Sequence, residues 1–209
     1  MKRILATLMI ITSSALAFTA HAAATAPVDL INTTFEQVKT DVEKAGVESI
    51  EADPQVAINI IKDRLLPLID EKNFTRKVMG RYFAQANRNQ KYGFLNTMRD
   101  SFINTYASSL VNIGDVKYDI QELLNDNENA KVRIIVDTKQ ADQVPVDFSF
   151  TYKSKDEAWK VANLEIAGIN LGMALRDKFE RMMQQYNNNI DDVIANWSSQ
   201  VKPEAIDAE

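Results

Sequence analysis

The adjacent Asp191 and Asp192, and the close pair Asp126 and Glu128, are the side chains whose type and spacing come nearest to a reaction centre. Two carboxylates suffice for glycoside hydrolysis, one as acid and one as base or nucleophile, without any histidine. Each pair also has a plainer role. Asp191 and Asp192 open a predicted helix, where acids suit the positive end of the dipole, and Asp126 and Glu128 lie in the turn-forming stretch NDNEN, residues 125–129. That stretch has some of the spacing of a calcium loop, but Lys131 stands where an EF-hand needs glycine for its sharp turn. No G-x-S-x-G or S-x-x-K motif places a serine for attack. The plainer roles are preferred, so no catalytic residue and no metal ligand is assigned.

The chain has no cysteine and one histidine, His21. Lys2 and Arg3 precede an apolar run over 4–11 that continues through Ala15, Leu16, Ala17 and Phe18, and Ala20-His21-Ala22 then gives an A-x-A cleavage pattern. This is the pattern of a secretory signal peptide, and the run is too short for a comfortable membrane span. Cleavage near Ala23 removes the histidine. The mature protein is then expected to lack thiol and imidazole chemistry and the common zinc, copper and iron ligands. With no cysteine after the apolar run, no lipid attachment is expected, and the mature chain is expected to be a soluble exported protein. The formal charge of −5 becomes more negative once Lys2 and Arg3 are gone, which excludes a basic nucleic-acid binder. An exported domain without disulfides relies on its apolar core. The expected organisation is a leader over 1–22, one compact domain over 23–203, and an acidic tail over 204–209.

The elements follow from periodicity. Val28, Leu30, Ile31, Phe35, Val38 and Val42 predict a helix over 27–45, ended by Gly46. Asp53-Pro54 supplies the cap and first residue of another, with Val56, Ile60, Ile61, Leu65 and Leu66 on one face until Pro67 breaks or kinks it. A short helix over 74–83 precedes a long one that opens with the capping box Asn87/Gln90 and carries Phe94, Met98, Phe102, Tyr106 and Leu110. Beyond Gly114 the period falls to two. Val116, Tyr118 and Ile120 form one strand; Val132, Ile134 and Val136 a second; Val144, Val146, Phe148, Phe150 and Tyr152 a third. A fourth starts at Trp159 and Val161, then shifts phase to Leu164 and Ile166 as a bulge would cause. Helix returns near Asn170, with Leu171, Leu175, Phe179 and Met182 at helical spacing, and again over 190–201. The fold class is α+β: a helical layer packed on a four-stranded antiparallel sheet.

Six basic residues, Arg76, Lys77, Arg81, Arg88, Lys91 and Arg99, occur without an intervening acid in an otherwise acidic chain. They suit phosphate headgroups or an acidic docking surface, unless they are a solvated helix face. Aromatic and methionine side chains gather on the helix stripes and the third strand. Individually each is ordinary core, but a curved sheet under helices can enclose a cavity, and methionines suit ligands of variable shape.

Two longer stretches carry a resemblance: LLPLID (65–70) continuing into FTRKVMGRYFAQANRNQKYGFLNTMRDSFINTYASSL (74–110), and WKVANLEIAGINLGMALRDKF (159–179) with Arg176 and Phe179 as an R-x-x-F element. In order and spacing they resemble MlaC, the toluene-tolerance family of periplasmic phospholipid-binding proteins. The pattern differs at two places: Ile169-Asn170 follows Gly168 where the family usually has valine-serine, and Ala162-Asn163 follows W-K-V in place of tyrosine-aspartate. The resemblance implies an apolar cavity between helices and sheet that encloses acyl chains, with the headgroup near the surface. It also implies a shuttle between an outer-membrane lipoprotein–porin complex and an inner-membrane ABC transporter with an MCE-domain subunit, maintaining outer-membrane lipid asymmetry. Such a protein is not an enzyme, takes phospholipid as ligand and no other cofactor, and is expected to be a monomer. The residues expected around the tails are Leu65, Leu66, Ile69, Val78, Phe83, Met98, Phe102, Phe148, Phe150, Val161, Ile166 and Leu171. The six basic residues are assigned to headgroups or docking. The alternatives are an exported chaperone or adaptor that binds a protein partner along an apolar helix groove, and, third, a secreted hydrolase using Asp191 and Asp192.

Overall fold

Proline and glycine mark the ends of α1 (Pro27–Ala45): Pro27 needs no amide hydrogen bond at a first helical turn, and Gly46 stops the helix at φ 80°. In the computed structural model, residues 25–197 are described apart from 108, 109, 111, 112, 114, 115, 127 and 138–142. The expected leader, the acidic tail and the last residues of the final helix lie outside them. A short helix absent from the sequence reading, α2 (Val47–Ala52), precedes α3 (Pro54–Ile60), whose cap Asp53 accepts from the Gln55 amide at 2.9 Å. α3 does not stop at Ile60. It widens into a π-helical turn, Ile61–Leu65, and tightens into a 3-10 turn, Leu66–Leu68, around Pro67. Proline cannot donate to the preceding turn, and the two irregular turns absorb that break.

α4 (Glu71–Met79) is capped by Asp70, and Gly80, at φ 53°, separates it from α5 (Tyr82–Gln85), so the one helix expected over 74–83 is two. Arg176 lies over Gly80, and a Cβ there would sit 3.1 Å from its Nε. The predicted capping box opens α6 (Arg88–Tyr106): the Asn87 side chain accepts from the Gln90 amide at 2.9 Å, and the Gln90 side chain accepts from the Asn87 amide at 3.0 Å. Two further helices, α7 (Leu171–Gln185) and α8 (Ile190–Asn196), follow the sheet.

The sheet runs β1 (Lys117–Asn125), β2 (Asn129–Asp137), β3 (Val144–Lys153), β4 (Ala158–Ile166) and β5 (Ile169–Asn170), adjacent in that order and antiparallel throughout. It therefore has five strands where four were expected. Ala167 and Gly168 both take positive φ, 49° and 82°, and turn the chain back so that Ile169 pairs with Ile166. Two residues are too few to leave an alternating pattern in sequence. The expected bulge is present: pairing passes from Ser149↔Asn163 to Phe150↔Val161, leaving Ala162 over.

Register places Ile166, Val146, Ile134 and Ile120 in one cross-strand row, and Leu164, Phe148 and Val132 in the next. This apolar face looks toward the helices. The opposite face carries Asp147, which is 3 % exposed because Arg133 and Lys131 close over it at 2.6 and 2.9 Å. The Arg133 hydrogen bond first, and then Lys131, hold its carboxyl at about 2 despite burial. A carboxyl lowered in the folded state stabilises fully above the ordinary range near pH 4, and loses that contribution as pH falls toward 2. The thermal midpoint of the native chain should therefore exceed that of Asp147→Asn at pH 7, and the gap should close between about pH 4 and pH 2. A gap independent of pH would mean that the carboxylate is not the stabilising group.

Buried apolar side chains form three clusters. One joins α4 to α8 through Val78, Met79, Phe94, Phe179, Met182 and Trp197. A second ties α1, α2, α3 and the end of α6 through Val38, Val42, Ile50, Ile60 and Ile103. The third lies on the sheet beneath the start of α1, around Ile31, Val132, Ile134 and Phe150.

Candidate functional site

α1 crosses the sheet at β1 and β2, whereas the Leu66–Leu68 turn, α4 and α7 reach it at β4. β3 lies between these two points of support. Along the cross-strand rows Ile134 and Val132 on β2 are fully buried, while Ile120 on β1, Val146 and Phe148 on β3, and Ile166 and Leu164 on β4 are half-buried. Leu171, at the start of α7, is half-buried too. On the helical side the same is true of Leu65, Leu66, Phe102 and Tyr106. Phe102 and Tyr106 pack with ring centroids 4.6 Å apart and planes tilted by 47°, and burial raises the Tyr106 hydroxyl above its ordinary pKa. These are large apolar groups, contributed by both layers and less fully buried than the clusters they border.

α7 owes its position over β4 to two asparagines, at the positions where the sequence departs from the pattern it resembles. Asn170 caps the helix by accepting from the Met173 amide at 3.0 Å, and Asn163 accepts from the Gly172 amide at 3.2 Å. A Cβ at 172 would lie 2.6 Å from Asn163 Oδ1, so a larger residue there displaces the Asn163 side chain from the Gly172 amide.

The irregular segment 61–70 is tied down at both ends. Arg64 grips Asp41 of α1 at 2.6 Å. At the other end the Asp70 amide donates to the Val161 carbonyl at 3.1 Å, Lys160 Nζ donates to the Pro67 carbonyl at 2.6 Å, and Lys153 pairs with Asp70 at 2.6 Å. Between these anchors it presents Leu65 and Leu66 to the second cluster and Leu68 to the sheet cluster.

Beside that second anchor opens a cleft of about 770 Å³. Its floor is apolar, with Ile69 and Leu95, and its walls come from the start of α4, one face of α6 and the β3–β4 hairpin. Lys72, Arg99, Lys153, Lys155 and Lys160 line it.

Of the residues expected around a ligand, Leu65, Leu66, Phe102, Phe148, Ile166 and Leu171 are half-buried, and Ile69 lines the cleft. Val78 and Met98 sit within the α4–α8 cluster with Phe83 at its edge, and Phe150 and Val161 belong to the sheet cluster. The six basic residues do not converge. Only Arg99 lines the cleft; Arg76 and Lys77 bond Asn73 and the Ala162 carbonyl, Arg81 and Arg88 lie against Tyr82 and Tyr92, and Lys91 over Phe83. Sequence reasoning missed Lys72, Lys153, Lys155 and Lys160. Only the basic spacing in KSKDE and WK hinted at them.

The carboxylate pairs take the plainer roles. The Asn189 side chain accepts from the Asp191 and Asp192 amides at the start of α8, and Gln90 donates to Asp191 at 3.0 Å. Asp126 accepts from the Glu128 and Asn129 amides, which lowers its pKa. No helix among the described residues is long and apolar enough to cross a membrane.

Comparison with known proteins adds an independent line. The sequence profile of the family described as "MlaC protein" matches residues 32–199. The chain is 25 % identical over 181 residues to "Toluene tolerance protein ttg2D" of Pseudomonas putida, covering 86 % of this chain and 83 % of that one. It is 24 % identical over 188 residues to "Intermembrane phospholipid transport system binding protein MlaC" of Haemophilus influenzae, covering 88 % of this chain and 79 % of that one. Among solved structures, a phospholipid-binding protein from Ralstonia solanacearum, in complex with a phospholipid, superposes with a TM-score of 0.71 at 20 % identity, covering 80 % of this chain and 92 % of that one. At that identity the likeness shows a shared fold.

Proposed function

This chain belongs to the MlaC family, and from that premise we propose that it is a periplasmic phospholipid carrier whose acyl-chain pocket is lined by the half-buried apolar side chains of β3, β4 and the helices over them. The observation that carries this reading is the change in burial along each cross-strand row, from fully buried on β2 to half-buried on β3 and β4. The wall residues are Leu65, Leu66, Phe102, Phe148, Ile166 and Leu171, with Val146 and Leu164 added by register. Val78, Met98, Phe150 and Val161 support that wall from the neighbouring clusters.

Two acyl chains carry on the order of 30 methylenes at about 0.8 kcal/mol each, so carrying a bare lipid through water costs more than about 20 kcal/mol. A carrier must cover both tails and still release them, and neither step makes or breaks a covalent bond. The route proposed is between an outer-membrane lipoprotein–porin complex and an inner-membrane ABC transporter with an MCE-domain subunit, serving outer-membrane lipid asymmetry. The protein travels as a monomer.

An apolar pocket left empty is destabilising, so the protein should purify loaded. Native mass spectrometry and solvent extraction should find about one phospholipid per chain. A stable, lipid-free protein that takes up no phospholipid from vesicles would sink the carrier reading, and capture of an apolar peptide in its place would favour the chaperone alternative.

A further inference from the structure

We propose that the cleft beside α4 is a binding site for a phosphate group, held by Lys72, Arg99 and Lys155. The chain is acidic overall, at −5, yet five cations line this one concavity against three carboxylates. A concave wall of one sign concentrates the field that an anion experiences. The five cations are not equally committed. Lys153 is neutralised by Asp70 at 2.6 Å, and Lys160 is spent on the Pro67 carbonyl. Arg99 is only loosely paired: Glu71 and Asp100 stand 3.6 and 3.5 Å from its nitrogens, neither within the short fork an arginine forms with a carboxylate. Glu71 Oε1 is buried without a hydrogen-bond donor, so Arg99 does not close on it. Lys72 and Lys155 make no ion pair among the described residues.

Three cations that line one cleft from α4, α6 and the β3–β4 hairpin suit a tetrahedral anion, which takes donors from several directions. Asn96, held by Arg99 at 2.9 Å, and Ser154 add neutral polar groups at the rim. Ile69 and Leu95 give the anion an apolar neighbour, which suits a phosphodiester bearing a glycerol as well as inorganic phosphate. The lipid form of this site rests on the carrier reading above; the inorganic form does not.

The test titrates inorganic phosphate, and separately glycerophosphoethanolamine, into the isotope-labelled full chain while backbone amide shifts are followed, with glycerol as control. The amides of Lys72, Asn96, Arg99, Ser154 and Lys155 should move on one saturable curve with a phosphate probe and stay still with glycerol. K72A/K155A should weaken that curve at least tenfold while leaving the rest of the spectrum in place. Raising the salt to about 0.5 M should weaken it in the native chain as well. Tighter binding of the diester identifies a lipid headgroup as the source; equal or tighter binding of inorganic phosphate identifies free phosphate. Absence of saturable movement with either probe, or its persistence in K72A/K155A, overturns the site. A chain that yields extractable phospholipid but shows no such movement keeps the carrier reading and loses this one. A chain that shows the movement with inorganic phosphate but yields no phospholipid does the reverse.

Discussion

Phe94→Ala is expected to lower the unfolding free energy by about 3–5 kcal/mol, among the largest effects of any single truncation in this chain. Phe94 is fully buried at the centre of the α4–α8 cluster. Its ring meets Phe179 edge-on at 4.7 Å and Trp197 nearly perpendicular at 4.8 Å, geometries that add to simple burial. Removing it leaves a void among three helices, and the neighbours that would have to collapse into it, Met182 and Val193, are fully buried themselves. Phe102, two turns further along α6, provides the comparison. It is half-buried and packs on Tyr106, so its truncation should cost about 1–2 kcal/mol in delipidated protein, and more when lipid is bound. Urea unfolding of both variants after lipid extraction measures the difference. Equal losses would mean that Phe102 is as much a part of the core as Phe94.

Charge placed on the two halves of the sheet face should separate fold from ligand. Val132→Asp puts a carboxylate at a fully buried position of the sheet cluster, and the chain should fail to fold. Ile166→Asp lies on the same face but at the half-buried end of its row, where water or ligand is the neighbour. That variant should fold, with most of its thermal stability intact, and its extractable phospholipid should fall at least tenfold, because an acyl chain cannot lie against an ionised group. Far-UV circular dichroism and lipid extraction on the same preparations decide the matter. If Ile166→Asp unfolds as Val132→Asp does, the β4 end of the row is ordinary core; if it keeps its lipid, the pocket wall lies elsewhere.

The contrast between Val132 and Ile166 also shows how far the sequence could be read. Both stand in clean alternating runs, and alternation fixes only which face a residue takes. Whether a helix covers that face depends on where α1 and α7 land, which neither strand encodes. Elements with strong local signals were therefore legible: the Asn87/Gln90 box, the Asp53-Pro54 start, the stop at Gly46, and the bulge near Ala162. β5 was not, because two residues make no period. α2 was not, since its six residues show one buried position, Ile50.

The stripe on α6 is the instructive case. Its strict spacing of four advances about 40° around the helix at each step. Phe94 and Met98 accordingly join the α4–α8 cluster, Phe102 and Tyr106 are left half-buried, and Leu110, beyond the end of α6, belongs to the second cluster. One line of sequence visits three environments. The cationic cleft was hidden for a different reason: residues 72, 99, 153, 155 and 160 are far apart in the chain, and only the pairing of β3 with β4 and its contact with segment 61–70 bring them together.

The fastening of segment 61–70 bears on tempo. The Lys153–Asp70 pair and the Lys160–Pro67 hydrogen bond lie near water, and links of that kind are worth about 1 kcal/mol or less apiece. They set the segment's resting position together with the Arg64–Asp41 pair and the apolar seating of Leu65, Leu66 and Leu68. Rearrangements of segments of this size take microseconds to milliseconds. Cargo would then stay aboard because its tails avoid water, and no bolt would need to be drawn when the vessel reaches a berth that offers the tails equal shelter. Unloading on those terms consumes no fuel in the carrier itself and leaves direction to whatever waits at either shore.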